Sequence, residues 1–159
     1  MSERAAKEGL AIAVHATAFD RVHYALVMAS AAAASDRRAT LFFTGGAVAA
    51  LTRGADGRPG WHALEAAPEG AAARDAAWRA KKVAGFEELL GACRELGVRL
   101  IACEMALRVL DLAPAALGDL APPSRSDDLR PSLRGDLKPE VAGVVTFLQA
   151  AAGGATVFI

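Results

Sequence analysis

What the chain lacks narrows the field first. Two cysteines, Cys93 and Cys103, stand among 159 residues. That is too few for a disulfide framework, and their spacing matches no zinc pattern. Neither charge is in surplus, because Lys plus Arg and Asp plus Glu number 18 each. Without a basic excess little is available to neutralise a phosphate backbone, so nucleic acid is not expected as a partner. Long hydrophobic runs are missing too. The longest, around Tyr24–Ala34, falls well short of the ~20 residues that span a bilayer. The apolar stretch Leu10–Val14, behind a charged start, is too short for a signal-peptide core. These absences predict a cytoplasmic protein without membrane contact, whose thiols stay reduced. A glycine-rich turn is also absent after the first apolar run, where HATAFD follows instead, and this disfavours a dinucleotide site. No serine sits in a nucleophile turn, and no carboxylate pair or metal-binding cluster is visible.

What is present reads as one packed α/β domain over residues 1–159. Hydrophobic residues make up 53% and charged residues 23%, the balance of a globular core. LAIAVH (10–15), ATLFF (39–43), Val98–Ala102 and ATVFI (155–159) predict buried strands, and a fifth strand is expected near 138–142. Helices are expected over 20–34, 47–51, 86–96, 104–112 and 144–152, with a short turn at Pro114–Leu117. Asp20 is read as the cap of the first helix and Gly97 as the stop of the helix at 86–96. The first helix is apolar nearly all round, so it is expected to pack on the sheet and on a second subunit. Loops are expected at about 53–82 and 113–139. The first contains RGADGRPG and both tryptophans, and its 61–82 portion is either a helix over a pocket or a lid. The second carries five prolines. Strand–helix alternation predicts a mostly parallel sheet of about five strands in a three-layer α/β/α arrangement.

In such a sheet the ligand site lies beyond the carboxyl ends of the strands. Cys103 falls there, between the third strand and the helix that follows. A thiol at a helix start is favoured as thiolate by free amides and the helix dipole. Equally, a free cysteine is often a small buried apolar residue. His15, Asp20, His23, Thr44, Gly45 and Gly46 belong to the same rim, and the amides at 44–46 could cradle an anion. For His15 and His23 a packed, backbone-bonded histidine is the plainer alternative, and for Thr44 a helix cap. Glu104 follows the thiol and opposes its ionisation if it points inward. Cys93 lies on the apolar face of its helix and reads as core. Strand rise and helix pitch leave about 10 Å between the two cysteines along the strand, beyond the ~7 Å that a disulfide tolerates. With no resolving cysteine in reach, a peroxide-reducing enzyme is disfavoured.

Several segments together carry a family resemblance: FDRVHYALVMASAAAA (19–34), TLFFTGG (40–46), GFEELLGACRELGVRLIACEMAL (85–107), AGVVTFL (142–148) and the terminal TVFI. In this order they resemble the DsrE/DsrF-like sulfur-relay family, in the branch often labelled peroxiredoxin-like. In that family a strand ending in Ala-Cys, then a polar residue and Met, presents the persulfide-carrying cysteine. Here that segment is Ala102, Cys103, Glu104 and Met105. The family's Gly-Gly-Val-x-Thr-aromatic-Leu segment corresponds to 142–148, with Ala142 in place of the first glycine and Gly143 as the second. The resemblance implies a three-layer DsrE/DsrF-like fold and self-assembly into dimers, trimers or hexamers. It also implies sulfur transfer through Cys103, with no cofactor, between donor and acceptor proteins or small persulfides. The competing expectation is a non-catalytic oligomer that binds a small ligand or partner, with an incidental or redox-sensing cysteine.

Overall fold

A computed structural model describes residues 7–117 and 139–159. Most of the expected proline-rich loop, 118–138, lies outside the described residues. Five strands, β1 (Gly9–Val14), β2 (Ala39–Phe43), β3 (Arg99–Cys103), β4 (Glu140–Ala142) and β5 (Gly154–Phe158), form one sheet in the order β4-β3-β2-β1-β5. Every neighbouring pair is parallel. The near-continuous apolar runs of β1 and β2 fit this, since central parallel strands are covered on both faces. The edge strand β4 is pinned to β3 by Arg99, whose Nε and Nη2 each donate to a carboxylate oxygen of Glu140 at 2.8 Å. That forked bond raises the Arg99 pKa and lowers that of Glu140.

Alternation along the strands sends side chains to two faces. Ile12, Val14, Leu41 and Phe43 are buried on one, beneath α1 (Phe19–Ala34) and α3 (Phe86–Glu95). Ala11, Ala13, Phe42, Ile101 and Cys103 occupy the other, and α5 (Val144–Ala151) crosses it. Phe147 of α5 stacks on Phe42 with ring centroids 5.0 Å apart. Helices thus lie on both sides of the sheet, the three-layer arrangement that the strand–helix alternation predicts. No described helix is long and apolar enough to cross a membrane.

The first helix is packed under α3 and against β1 and β2. Of its large apolar residues Tyr24 alone is exposed, and Val27 and Met28 are half-buried. Asp20 is not its cap. Ala18 holds that position without a side-chain bond, and Asp20 Oδ1 accepts from the adjacent Arg21 N–H at 3.0 Å. The loop at 65 replaces the cap, because Glu65 C=O accepts from Phe19 N–H at 2.9 Å.

The ambiguous stretch 61–82 holds a short 3-10 turn (Gly60–Ala63) and a helix, α2 (Ala71–Ala80). Phe19 gathers Trp61, Trp78 and Phe86 around itself with ring centroids 5.3–6.0 Å away. The stretch is therefore an outer layer over α1 and α3. Buried Asp75 ties α2 to the start of α3: Oδ1 accepts from Phe86 N–H at 2.7 Å and Oδ2 from Arg79 Nε–H at 2.9 Å. The expected helix at 47–51 starts earlier, as a 3-10 helix over Gly45–Leu51. The helix expected at 104–112 is shorter, α4 (Glu104–Val109). Asp111 takes a positive φ of 52°, and Leu112 N–H donates back to Leu107 C=O at 2.8 Å, closing the helix early.

The Asp75 bonds yield a test. Asp75→Ala removes the acceptor at the α3 start and is expected to cost about 2 kcal/mol of stability. Asp75→Asn keeps an acceptor oxygen and should lose less. Urea unfolding of the three proteins measures both values.

Candidate functional site

Cys103 ends β3 and stands at the cap position of α4, with φ −65° and ψ 118°. Its side chain forms part of the wall of an open, mainly apolar groove of about 740 Å³. The opposite wall is the start of α5, with Gly143 at its cap position. Thr44 and Phe42 contribute from β2 and the turn after it, and Thr156 and Phe158 from β5. The groove exists because small residues floor this face. Ala13 leaves room where a larger strand residue would fill the space below α5. Cys103 is 3% exposed, so it is set into the wall and does not project from it.

Five of the sequence-derived candidates meet at this groove: Thr44, Cys103, Glu104, Met105 and Gly143. Met105 stands at the mouth, largely exposed. Glu104 does not point its charge at the thiol unopposed, since its carboxylate is paired with the guanidinium of Arg108 one turn on.

The other five do not line the groove. His23 is buried on the α1 side, where its Nε2 lies 2.8 Å from Ala84 O and its ring meets Trp78 edge-on. It is a packed, backbone-bonded histidine and belongs to the far face of the sheet. Asp20 lies with it beside a separate hollow under Tyr24 and Trp78. His15 is exposed and lies against Phe158, with ring centroids 5.8 Å apart. Gly45 has φ +52°, and a Cβ there would come within 2.6 Å of the His15 ring. A Cβ on Gly46 would lie 2.5 Å from the Thr17 methyl. These two glycines thus serve close packing. The expected cradle of amides at 44–46 is also incomplete, because Thr44 N–H donates to Val14 C=O at 2.9 Å.

Sequence reasoning missed Arg108, Val144, Val145, Phe147 and Phe158, all of which line the groove. Arg108 had a signal in its i,i+4 spacing from Glu104. The adjacent pair Val144-Val145 carried no comparable signal, because neighbours on a helix can both be buried, as Ala106 and Leu107 are on α4. Among the described residues no group of three or more His, Cys, Asp or Glu is placed to hold a metal ion.

Both cysteines are free. Cys93 sits between α3 and α1 on the far side of the sheet, its Sγ 3.6 Å from Leu26 O. Burial pushes its thiol pKa up to about 12. No protein-family model matches the chain, and no curated protein matches it.

The Cys93 shift has a sign that can be checked. The unfolded thiol ionises near 9.0, whereas the folded one holds its proton to about 12. The associated stability is complete below pH 9 and is lost as pH rises toward 12, by up to ~1.4 kcal/mol per pH unit. Urea midpoints between pH 8 and 10 should therefore fall more steeply for wild type than for Cys93→Ala. Iodoacetamide at pH 8 should leave Cys93 unmodified until denaturant is added.

Proposed function

We propose that the protein is a sulfur carrier, a sulfurtransferase that holds a persulfide on Cys103. The observation that carries this reading is the placement of one thiol at the carboxyl end of β3, in the wall of an apolar groove. The resemblance of ELGVRLIACEMAL to the persulfide-bearing segment of DsrE/DsrF-like proteins supports it. In the reaction the Cys103 thiolate attacks the outer sulfur of a donor persulfide, R–S–SH. The new Sγ–S bond forms as the donor S–S bond breaks, and the donor leaves as its thiolate. An acceptor thiolate then attacks the outer sulfur of Cys103–S–SH, and Cys103 leaves as thiolate. No net oxidation occurs and no cofactor takes part. The inner sulfur remains in the wall while the outer sulfur projects into the groove, near Arg108 and the first amides of α4. Donor and acceptor are proteins or small persulfides of a reducing, cytoplasmic setting, and the carrier works as a dimer, trimer or hexamer.

Intact-mass analysis after brief exposure to a polysulfide donor tests the reading. Wild type and Cys93→Ser should each gain one sulfur atom, and Cys103→Ser should gain none. A gain that follows Cys93, or no gain at all, would falsify the carrier role.

The 3% exposure of Cys103 favours a second reading, a non-catalytic module whose groove binds an apolar ligand or partner while the cysteine packs. On that reading an apolar fluorescent dye binds wild type and Cys103→Ser equally. Val145→Asp, which charges the wall, weakens binding at least tenfold. Sulfur loading does not occur.

A further inference from the structure

The groove beside Cys103 has a direction. On its floor Phe42, Ala13 and Phe158 are register partners on β2, β1 and β5, so they stand side by side on one face. Cys103 stands on the same face of β3, two residues beyond Ile101, the partner of Phe42. From the thiol to Phe158 the groove therefore crosses three strand spacings, about 14 Å. The small Ala13 lies between two phenylalanines whose strands are two spacings apart, about 10 Å. This makes a slot, with the stacked Phe42 and Phe147 on one side and Phe158 on the other.

Charge is kept out of this slot. Among the residues that line the groove only Glu104 and Arg108 are ionic, and they pair with each other at the Cys103 end, both exposed. The remaining polar side chains of the lining are the hydroxyls of Thr44, Thr146 and Thr156. Ionic groups return only past Phe158, where Asp20 and Arg21 border the separate hollow. A charged body in the slot would lose water without gaining a counter-charge. A peptide would bring an N–H and a C=O with nearly every residue against the same walls. A single extended hydrocarbon chain meets neither cost and is narrow enough to lie between the two rings.

We propose that the acceptor of the Cys103 sulfur is a small thiol, R–SH, whose R is an extended, uncharged apolar chain lying along this slot toward Phe158. This rests on the carrier reading and adds the substrate class to it. The acceptor enters as thiolate, its proton released to solvent. It attacks the outer sulfur of Cys103–S–SH from the side opposite Sγ, because the forming and breaking bonds lie in line. Cys103 is set in the wall, so that side is the open groove, and R is directed across β2 and β1 toward β5. The new R–S–S bond forms as the Sγ–S bond breaks. Cys103 leaves as thiolate, and the product is the persulfide R–S–SH. No oxidant or reductant is consumed.

Single-turnover discharge tests the acceptor class. Wild type is loaded with sulfur from inorganic polysulfide, freed of excess donor, and mixed with ethane-, butane-, hexane- or octanethiol. Intact mass then follows the loss of sulfur from Cys103. These thiols differ little in acidity, so chain burial is the variable. The second-order rate constant should rise roughly twofold to threefold for each methylene added. Hexanethiol with a terminal carboxylate should react roughly tenfold more slowly than hexanethiol itself. Ala13→Leu, which fills the slot, and Phe158→Asp, which charges its wall, should each cut the ratio of octanethiol to ethanethiol rates roughly tenfold. Phe158 is 73% exposed, so its variant keeps the test open if Ala13→Leu folds poorly. Wild-type rates that ignore chain length overturn the proposal. So does a carboxylate that does not slow transfer, a chain-length dependence that the variants retain, or a loaded protein that no small thiol discharges. In each of these cases loading has succeeded and the carrier reading stands. Failure of Cys103 to load overturns both.

Discussion

One aromatic stack, Phe147 on Phe42, anchors the helix that covers the second face of the sheet. A parallel sheet needs cover on both sides. Here α1 and α3, with α2 outside them, bury one face with large side chains. The other has small alanines and the eight-residue α5, which buries Phe147 and leaves Val144, Val145 and Leu148 exposed. The groove is what this imbalance leaves, and the free β5 edge borders it.

The thick side is organised by polar contacts as well as by packing. Asp75 is a buried carboxylate satisfied by one backbone amide and one guanidinium, and it joins the two helices that the 61–85 segment brings together. His23 spends its ring nitrogen on Ala84 O at the same junction. Each of these groups would be costly to bury unpaired. Their bonding makes them part of the scaffold, and His23 is no base for Cys103. The two thiols lie on opposite faces of the sheet. Cys93 lies deep in the thick layer, where desolvation keeps it protonated. Cys103 lies at the wall of the thin one.

Helix endings show how local chemistry and context divide the work. Gly97, with φ 77°, ends α3 where a glycine is expected. Asp36, Lys82 and Asp111 adopt the same left-handed conformation after α1, α2 and α4 without being glycine. The reversed bonds Arg37 N–H to Ala32 C=O and Val83 N–H to Trp78 C=O hold them there. Asp tolerates this conformation better than most residues but is common elsewhere, so it marks such stops only weakly, and α4 is shorter than its apolar rhythm implies. The start of α1 is similar, because its amide partner comes from Glu65, far away in sequence.

Periodicity and residue type by themselves determined the five strands, the parallel α/β class, the core role of Cys93 and the place of Cys103 at a strand end. These follow from local rules of burial and alternation that act within a few residues. The tertiary structure decided which rim residues meet. Thr44, Glu104, Met105 and Gly143 join Cys103 because β2, α4 and α5 converge on one face. His15, Asp20, His23, Gly45 and Gly46 do not, although the sequence places them at strand ends or helix starts too. Strand ends share a rim, but the face on which a side chain emerges depends on register and on which helix crosses above it. Those are set by contacts between segments far apart in the chain, and so is the exposure of Phe158 at the edge of the sheet.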